Sequence, residues 1–199
     1  MKLLSVHVAK AGGSTTLKLL EGHYGDALLR DYADEPANPT SQRNMDPATY
    51  FARGERFPPG VECIHGHFNP GKYADGNHAL VTALRHPVDN IISIFSFWKS
   101  LDIPRGQSAL FDYFRDHSLS VTQTARLPNL RHLFTFGYFG GVDMGSFEII
   151  GSHENRASYI KRLSDLIGTP LDATAHENKT PESDDRQILN NDTNIRRAL

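Results

Sequence analysis

The sequence lacks the features that mark secreted, membrane-spanning or nucleic-acid-binding proteins. It contains one cysteine, Cys63, so an internal disulfide cannot form. No apolar run approaches the ~20 residues that a membrane-spanning helix needs. The 21 basic and 23 acidic residues leave a net charge of −2 with neutral histidines, which provides no general attraction to nucleic acid or anionic lipid. Any anion-binding site must therefore be local.

The remaining composition is that of an ordinary globular domain. Apolar residues make up 39% of the 199 residues and charged residues 22%. This length fits one domain over residues 1–199, and no repeat or linker divides it. The opening MKLLSVHVAKAGG lacks a signal-peptide layout, because His7 interrupts its apolar stretch and a Lys/Gly turn follows directly. Together with the single cysteine, this predicts a cytoplasmic protein.

Short apolar runs alternate with helical spacings, which predicts an α/β fold with a parallel sheet flanked by helices. Strands are predicted at residues 3–9, 61–65, 79–84 and 147–150. Helices are predicted at residues 14–22, 88–99, 108–117, 127–136, 157–167 and 184–190. Ser14 or Thr15 is the expected cap of the first helix, Pro87 opens the second, and Gly168 ends the fifth. Residues 24–60 are polar and proline-rich, which predicts a loop with short helical pieces, typical of a substrate-recognition insertion.

Polar residues follow three of the predicted strands. In open parallel sheets, ligands bind beyond the carboxyl ends of the strands. The segments at residues 10–16, 65–73 and 85–93 occupy such ends and carry side chains capable of chemistry. The sequence therefore predicts one site at this edge of the sheet, built from three separate parts of the chain.

The first of these segments, KAGGSTT, has the composition of an anion-binding turn. Gly12 and Gly13 let the backbone approach a ligand closely, and successive N–H groups before a helix attract negative charge. Ser14 and Thr15 add hydroxyl groups, and Lys10 adds a full charge. An ordinary capped strand-to-helix turn can have a similar sequence. The turn is not a Walker A motif, because Lys10 precedes the glycines.

The segment after the third predicted strand, LRHPVDNIISIFSF, places Arg85 at the strand end and Ser93 in the following helix. A guanidinium fork suits a phosphate, and the helical hydroxyl reaches the same anion if the helix passes alongside. The alternative is an arginine paired with a carboxylate and a serine that fills a tight helix contact.

Together these two segments resemble the sulfotransferases that use PAPS (3′-phosphoadenosine 5′-phosphosulfate). HVAKAGGSTTLKLL resembles their 5′-phosphosulfate-binding turn, and LRHPVDNIISIFSFW resembles their 3′-phosphate-binding element. The match is closest to the carbohydrate branch that contains heparan sulfate 2-O-sulfotransferase. Weaker similarities follow in family order at GHF, LPNLRHLFTFG, FEIIGSHENRASYIKRLSDLIG and AHENKTP. Residues 24–60 and the helix near 108–118 lie outside the resemblance.

The resemblance implies a P-loop NTPase-like fold, with PAPS as co-substrate and adenosine 3′,5′-bisphosphate as product. Lys10 would contact the 5′-phosphosulfate and stabilise charge on the bridging oxygen. The phosphate would be cradled by the turn residues, with the hydroxyls of the last two: Ala11, Gly12, Gly13, Ser14 and Thr15.

The resemblance also implies the remaining roles. Arg85 and Ser93 would hold the 3′-phosphate, and Lys179 and Thr180 would close over the nucleotide. His67 would be the general base toward an acceptor hydroxyl, and histidine titrates in the range which that role needs. The acceptor would be a carbohydrate or a small metabolite, and residues 24–60 and 100–145 are expected on its side of the site.

This chain departs from the family pattern at Ala9, where proline is usual, and at His86, where aspartate is common. The His65–Gly–His67 pair suggests a metal site at first sight. However, no cysteine pair or His-Glu-x-x-His helix completes one, so no metal is predicted. Of the two, His65 is expected to be a structural histidine.

Two other functions remain open on the sequence. A P-loop kinase or other nucleotide phosphotransferase would bind ATP with Mg²⁺ and show no preference for a 3′-phosphate. A non-catalytic nucleotide-binding domain would bind nucleotide without turnover. No nucleic-acid partner and no membrane span are expected, and the acceptor's identity and the oligomeric state are not encoded in any recognisable pattern.

Overall fold

The computed structural model describes residues 1–34, 40–73, 76–174 and 184–199. Its sheet consists of β1 (Lys2–Val6), β2 (Leu28–Asp31), β3 (Cys63–Gly66), β4 (His78–Leu84) and β5 (Ile149–Ser152). All neighbouring strands are parallel, in the order β2-β3-β1-β4-β5, so β1 is central.

Helices connect these strands. The α-helices are α1 (Gly13–Tyr24), α2 (Gln42–Met45), α3 (Pro47–Ala52), α4 (Pro87–Ser100), α5 (Ala109–Asp116), α6 (Val121–Ala125), α7 (Pro128–Arg131), α8 (Arg156–Ile167), α9 (Asp184–Asn191) and α10 (Thr193–Ala198). A π-helix covers Leu133–Tyr138, and 3₁₀ turns cover Gly25–Ala27, Pro70–Lys72 and Met144–Ser146. Among the described residues, no helix combines the length and the apolar content needed to cross a bilayer.

The side chains of β1 alternate between two apolar cores, as expected for a parallel sheet that is covered on both faces. Leu4 packs in a core that includes Ile92 of α4. Leu3 packs on the opposite face with Leu20 of α1 and Leu163 of α8. This arrangement confirms the predicted fold class, a single-domain α/β structure with a parallel sheet flanked by helices.

The four predicted strands all overlap strands of the sheet, but the interpretation of residues 24–60 as loop with short helices was incomplete. Residues Leu28–Asp31 form β2, an edge strand paired in register with β3. The strand is four residues long and Leu28 and Leu29 are only half-buried, so its apolar signal is weak. Short helical pieces do follow it, as α2 and α3.

Several helix details differ from expectation. Neither Ser14 nor Thr15 caps α1, because Gly12 occupies the cap position with φ of 90° and no side chain caps the helix. The predicted helix at 127–136 is instead α7 followed by the π-helix. Pro87 does open α4, and Gly168 ends α8 in the left-handed conformation at φ of 69°. The last helix, α10, was not predicted.

Candidate active site

The predicted convergence of strand ends is realised at the carboxyl edge of the sheet. Val6, the last residue of β1, is in register with Gly66 of β3 and with Thr82 of β4. The turn that follows β1 therefore lies between His67, which follows β3, and Arg85, which follows β4. The two segments singled out in the sequence and the histidine pair thus meet at one place.

The turn after β1 has an unusual backbone. Lys10 has a φ of 61°, a left-handed conformation that is uncommon for a residue with a side chain. Gly12 is also left-handed, at φ of 90°. A Cβ on Gly13 would lie 1.8 Å from the His7 ring, so only glycine fits against that imidazole. The backbone then enters α1, whose first N–H groups lack intrahelical partners and attract anions.

Three side chains from other elements hold the turn in this shape. Asn90 of α4 donates from Nδ2 to the Ala9 carbonyl at 2.7 Å. Arg85 donates from Nη1 to the Lys10 carbonyl at 3.3 Å. The Ala9 N–H donates to the hydroxyl of Tyr138 at 3.0 Å. The turn is therefore fixed from both flanks of β1 before any ligand binds, which suits a preorganised site.

Lys10 is held against an aromatic ring. Its Nζ lies 4.2 Å from the centroid of the Phe97 ring of α4, within cation–π range. Phe97 shares one face of α4 with Ser93 and Asn90, because these residues are spaced by three and four positions. This face of α4 therefore contacts the turn in two ways. Asn90 donates to the Ala9 carbonyl, and Phe97 supports Lys10. Ser93 lies between these two residues on the same face.

The other predicted anion ligands differ in accessibility. Ser14 and Arg85 are half-buried, whereas Thr15 and Ser93 are buried at 2% and 3% exposure. Ser14 and Arg85 are therefore more accessible to an anion than Thr15 and Ser93. Lys179 and Thr180 lie outside the described residues.

His67 has a defined tautomer. Its Nδ1 lies 2.6 Å from the His7 carbonyl oxygen, which can only accept a hydrogen bond. Nδ1 must therefore carry the proton, and Nε2 carries the lone pair. Burial lowers the pKa of His67 below its ordinary value, partly opposed by the bond to His7. A neutral imidazole with a lone pair on Nε2 is the form that a general base requires.

His67 belongs to a cluster of rings formed by His7, Tyr32, His65 and Tyr138. The His7 and His67 rings lie 4.4 Å apart, and the His7 and His65 rings stack at 5.3 Å. His7 Nδ1 is 2.9 Å from the Tyr32 hydroxyl. Burial is the largest cause that lowers the pKa of His7 well below its ordinary value.

His65 lies deeper in this cluster. It is 1% exposed, and its Nδ1 is 2.8 Å from the Ser5 hydroxyl. Burial lowers the pKa of His65 to about 3, with a further contribution from His67. This environment fits the structural role expected for His65. Among the described residues, no group of three His, Cys, Asp or Glu side chains is arranged to hold a metal ion.

A buried network of charged residues lies next to the ring cluster, at the end of β2. This network was not anticipated from the sequence. Lys72 Nζ contacts Asp31 at 2.7 Å and Asp34 at 3.1 Å. Tyr73 donates to Asp31 at 2.7 Å, and Tyr50 donates to Asp34 at 2.6 Å. Burial opposes the charge on Lys72, but hydrogen bonds and attraction from the two aspartates raise its pKa overall.

This network fixes the end of β2 beside β3. A Cβ on Gly66 would lie 1.7 Å from the Asp31 carbonyl oxygen, so the two strand ends approach very closely. Tyr32, which follows Asp31 directly, consequently meets the edge of the His67 ring at 4.9 Å between centroids. On the other flank, His86 is exposed, and its N–H donates to Glu154 at 3.3 Å.

No protein-family model matches the chain, and no curated protein matches it. Among solved structures, the chain is similar to the mouse sulfotransferase SULT7A1 complexed with PAP, at 12% identity and a TM-score of 0.42. The alignment covers 99% of this chain and 63% of that one, so this chain spans less than two thirds of its length. At this level the likeness is no basis for assigning a function.

Proposed function

We propose that this chain is a PAPS-dependent sulfotransferase, which moves a sulfuryl group from PAPS to an acceptor hydroxyl. The observation that carries the proposal is the placement of His67, whose tautomer leaves Nε2 as a base, at the strand end next to the Lys10 turn. One half of this arrangement suits an anionic donor, and the other half suits a hydroxyl acceptor.

The donor half would be the turn from Lys10 to Thr15, together with Arg85 and Ser93. Sulfuryl transfer needs positioning and charge stabilisation more than covalent help, as phosphoryl transfer does. The N-terminal N–H groups of α1 and the Lys10 ammonium would bind the 5′-phosphosulfate. Arg85, which already contacts the Lys10 carbonyl, would reach the 3′-phosphate with modest movement.

The acceptor half would depend on His67. Its Nε2 would take the proton of the acceptor hydroxyl while the acceptor oxygen forms a bond to sulfur. The bond between sulfur and the bridging oxygen breaks, and that oxygen leaves with the electron pair as part of adenosine 3′,5′-bisphosphate. Lys10 would stabilise the charge that develops there. A base in this position contributes ~10²–10⁴-fold to the rate.

For the acceptor, we propose a carbohydrate or small-metabolite hydroxyl, and we place the protein in the cytoplasm. This follows the sequence resemblance and the sequence-based expectation of location. Residues 24–60 and 100–145 would form the acceptor side. Tyr32, which lies in the first of these ranges, meets the edge of the His67 ring at 4.9 Å between centroids.

Ligand binding tests the donor half. Thermal denaturation would be followed with adenosine 3′,5′-bisphosphate, and separately with ADP with and without Mg²⁺. A ligand at 100 times its Kd stabilises the fold by ~2.7 kcal/mol, which is easily detected. We expect a shift with the bisphosphate and a smaller shift in Arg85→Ala. A shift mainly with ADP and Mg²⁺ would replace this proposal with a nucleotide phosphotransferase.

Transfer tests the acceptor half. Radiolabelled PAPS would be incubated with a panel of sugars and small alcohols, using the wild type, His67→Ala and His117→Ala. His117 is an exposed histidine of the α5 end and serves as the matched control. We expect His67→Ala to lose transfer by at least ~100-fold with bisphosphate affinity kept within a few-fold. Binding without transfer by the wild type would support a non-catalytic domain instead.

A further inference from the structure

The hydroxyl of Tyr138 joins the two halves of the proposed site. Tyr138 is the last residue of the π-helix and is 1% exposed. Its oxygen lies 3.0 Å from the Ala9 N–H of the turn after β1 and 3.0 Å from Nδ1 of His67, which follows β3. π-helical turns are frequent at functional sites. Here the last residue of the π-helix contacts the turn after β1, the proposed anion turn, and His67, the proposed base.

The directions of these hydrogen bonds follow from the partners. The Ala9 N–H can only donate, so the Tyr138 oxygen accepts it. Nδ1 of His67 already carries a proton, because it lies 2.6 Å from the His7 carbonyl. The Tyr138 oxygen therefore accepts a share of the same Nδ1–H, and its two acceptor sites serve two N–H donors from different strand ends.

We propose that Tyr138 is a positioning residue, whose hydroxyl oxygen fixes the His67 ring with Nε2 toward the reaction and ties that ring to the anion turn. The inference rests on the proposed function, and its first test below does not require transfer activity. When Nε2 takes a proton, the Nδ1–H becomes a stronger donor. Tyr138 and the His7 carbonyl together would then stabilise the imidazolium at the moment it forms.

Other groups around His67 do not fill this role. The His7 ring lies 4.4 Å away and the Tyr32 ring 4.9 Å away, while His65 lies behind His7. The positive charge of Lys10 contributes to lowering the pKa of His7. The Tyr32 hydroxyl is bonded to Nδ1 of His7 rather than to His67. Tyr32 therefore provides a matched control. It is a half-buried tyrosine of the same cluster, and its hydroxyl is bonded to His7 rather than to Nδ1 of His67.

The first experiment measures the imidazole of His67 by ¹⁵N NMR in the absence of any ligand, with His67→Ala to assign its signals. In the wild type we expect the Nδ1–H tautomer across the neutral range. In Tyr138→Phe the pKa of His67 should fall by about one, because a hydrogen bond to a charged group is lost. Tyr32→Phe should leave the tautomer and pKa of His67 within a few tenths of the wild-type values.

Each outcome decides the proposal. An unchanged His67 in Tyr138→Phe, or an equal change in Tyr32→Phe, would overturn it. If Tyr138→Phe does not fold, an Nε2–H tautomer of His67 in the wild type would still overturn the proposal, because it is incompatible with the proposed geometry.

The second experiment is kinetic and applies once an acceptor has been found. Tyr138→Phe should lower kcat by ~10-fold, while the Kd for adenosine 3′,5′-bisphosphate changes by less than threefold. A change confined to KM would show a merely structural role and overturn the assignment. Failure of the wild type to transfer sulfate would count against the proposed function alone, since the NMR result stands independently.

Discussion

Replacing Lys72 with methionine should cost far more stability than removing an exposed lysine from an ion pair. The Lys72 ammonium lies between Asp31 and Asp34, and all three side chains are at most about one tenth exposed. Methionine has a similar length and removes the charge. Two buried carboxylates would then keep the hydrogen bonds from the hydroxyls of Tyr73 and Tyr50 but lose the ammonium that lies between them.

The magnitude follows from this burial. Removing one partner of a buried ion pair costs ~3–5 kcal/mol, because the charge left behind is not solvated. That is a large part of the ~5–15 kcal/mol that stabilises an ordinary domain. Lys161 provides the matched control. It forms a pair with Asp165 at 2.8 Å on the surface of α8, and such pairs contribute only ~0.3–0.5 kcal/mol.

Urea unfolding at neutral pH, followed by circular dichroism, would measure both variants. We expect the midpoint of Lys72→Met to fall strongly and that of Lys161→Met to stay close to the wild-type value. The slope of free energy against urea should be unchanged if the whole domain still unfolds together. Equal losses for the two variants, or a loss below about 1 kcal/mol for Lys72→Met, would refute the reasoning that a buried charge network fixes the end of β2.

Three further results are expected. Gly13→Ala places a Cβ 1.8 Å from the His7 ring, so thermal denaturation should show a loss of ~1–3 kcal/mol; Gly22→Ala, with nothing within 4 Å, should show none, and equal effects would contradict the packing argument. Burial lowers the pKa of His67, so the acid limb of kcat/KM should lie below pH 6.5, and a limb above that value would exclude it as the base. Since burial lowers the pKa of His65 to about 3, unfolding takes up a proton between about pH 3 and 6.5, and stability should fall as the pH is lowered through that window.

The strands of the central sheet were predictable because their signal is local. The runs around Leu4, Ile64 and Val81 are apolar on both faces, which is typical of a covered parallel sheet. Pro87 and Gly168 likewise act through their own backbone preferences. The edge strand β2 has no such signal, because it is short, half-buried and defined by its pairing with β3.

The residues of the candidate site likewise fall into those that the sequence could predict and those that it could not. The Gly-rich turn, Arg85 and His67 could be found because each follows a predicted strand end. Tyr138 could not, because it reaches Ala9 and His67 only through the path of the chain around the sheet. The cap of α1 was misassigned for a related reason. The left-handed Gly12 takes that position, so Ser14 lies inside the first turn instead.

The strand order itself explains why Arg85, proposed to bind an anion, and His67, proposed to accept a proton, lie on opposite flanks of one turn. β1 is central, and the chain leaves it toward β2 on one side, returns through β3, and then crosses to β4 on the other side. The segments after β3 and β4 must therefore flank the turn after β1, whatever their side chains are. In this chain the β3 side carries His67 within a ring cluster that keeps it neutral, and the β4 side carries Arg85. The turn therefore separates the His67 imidazole from a permanent cation, so the arginine does not lower the basicity of His67 by direct contact.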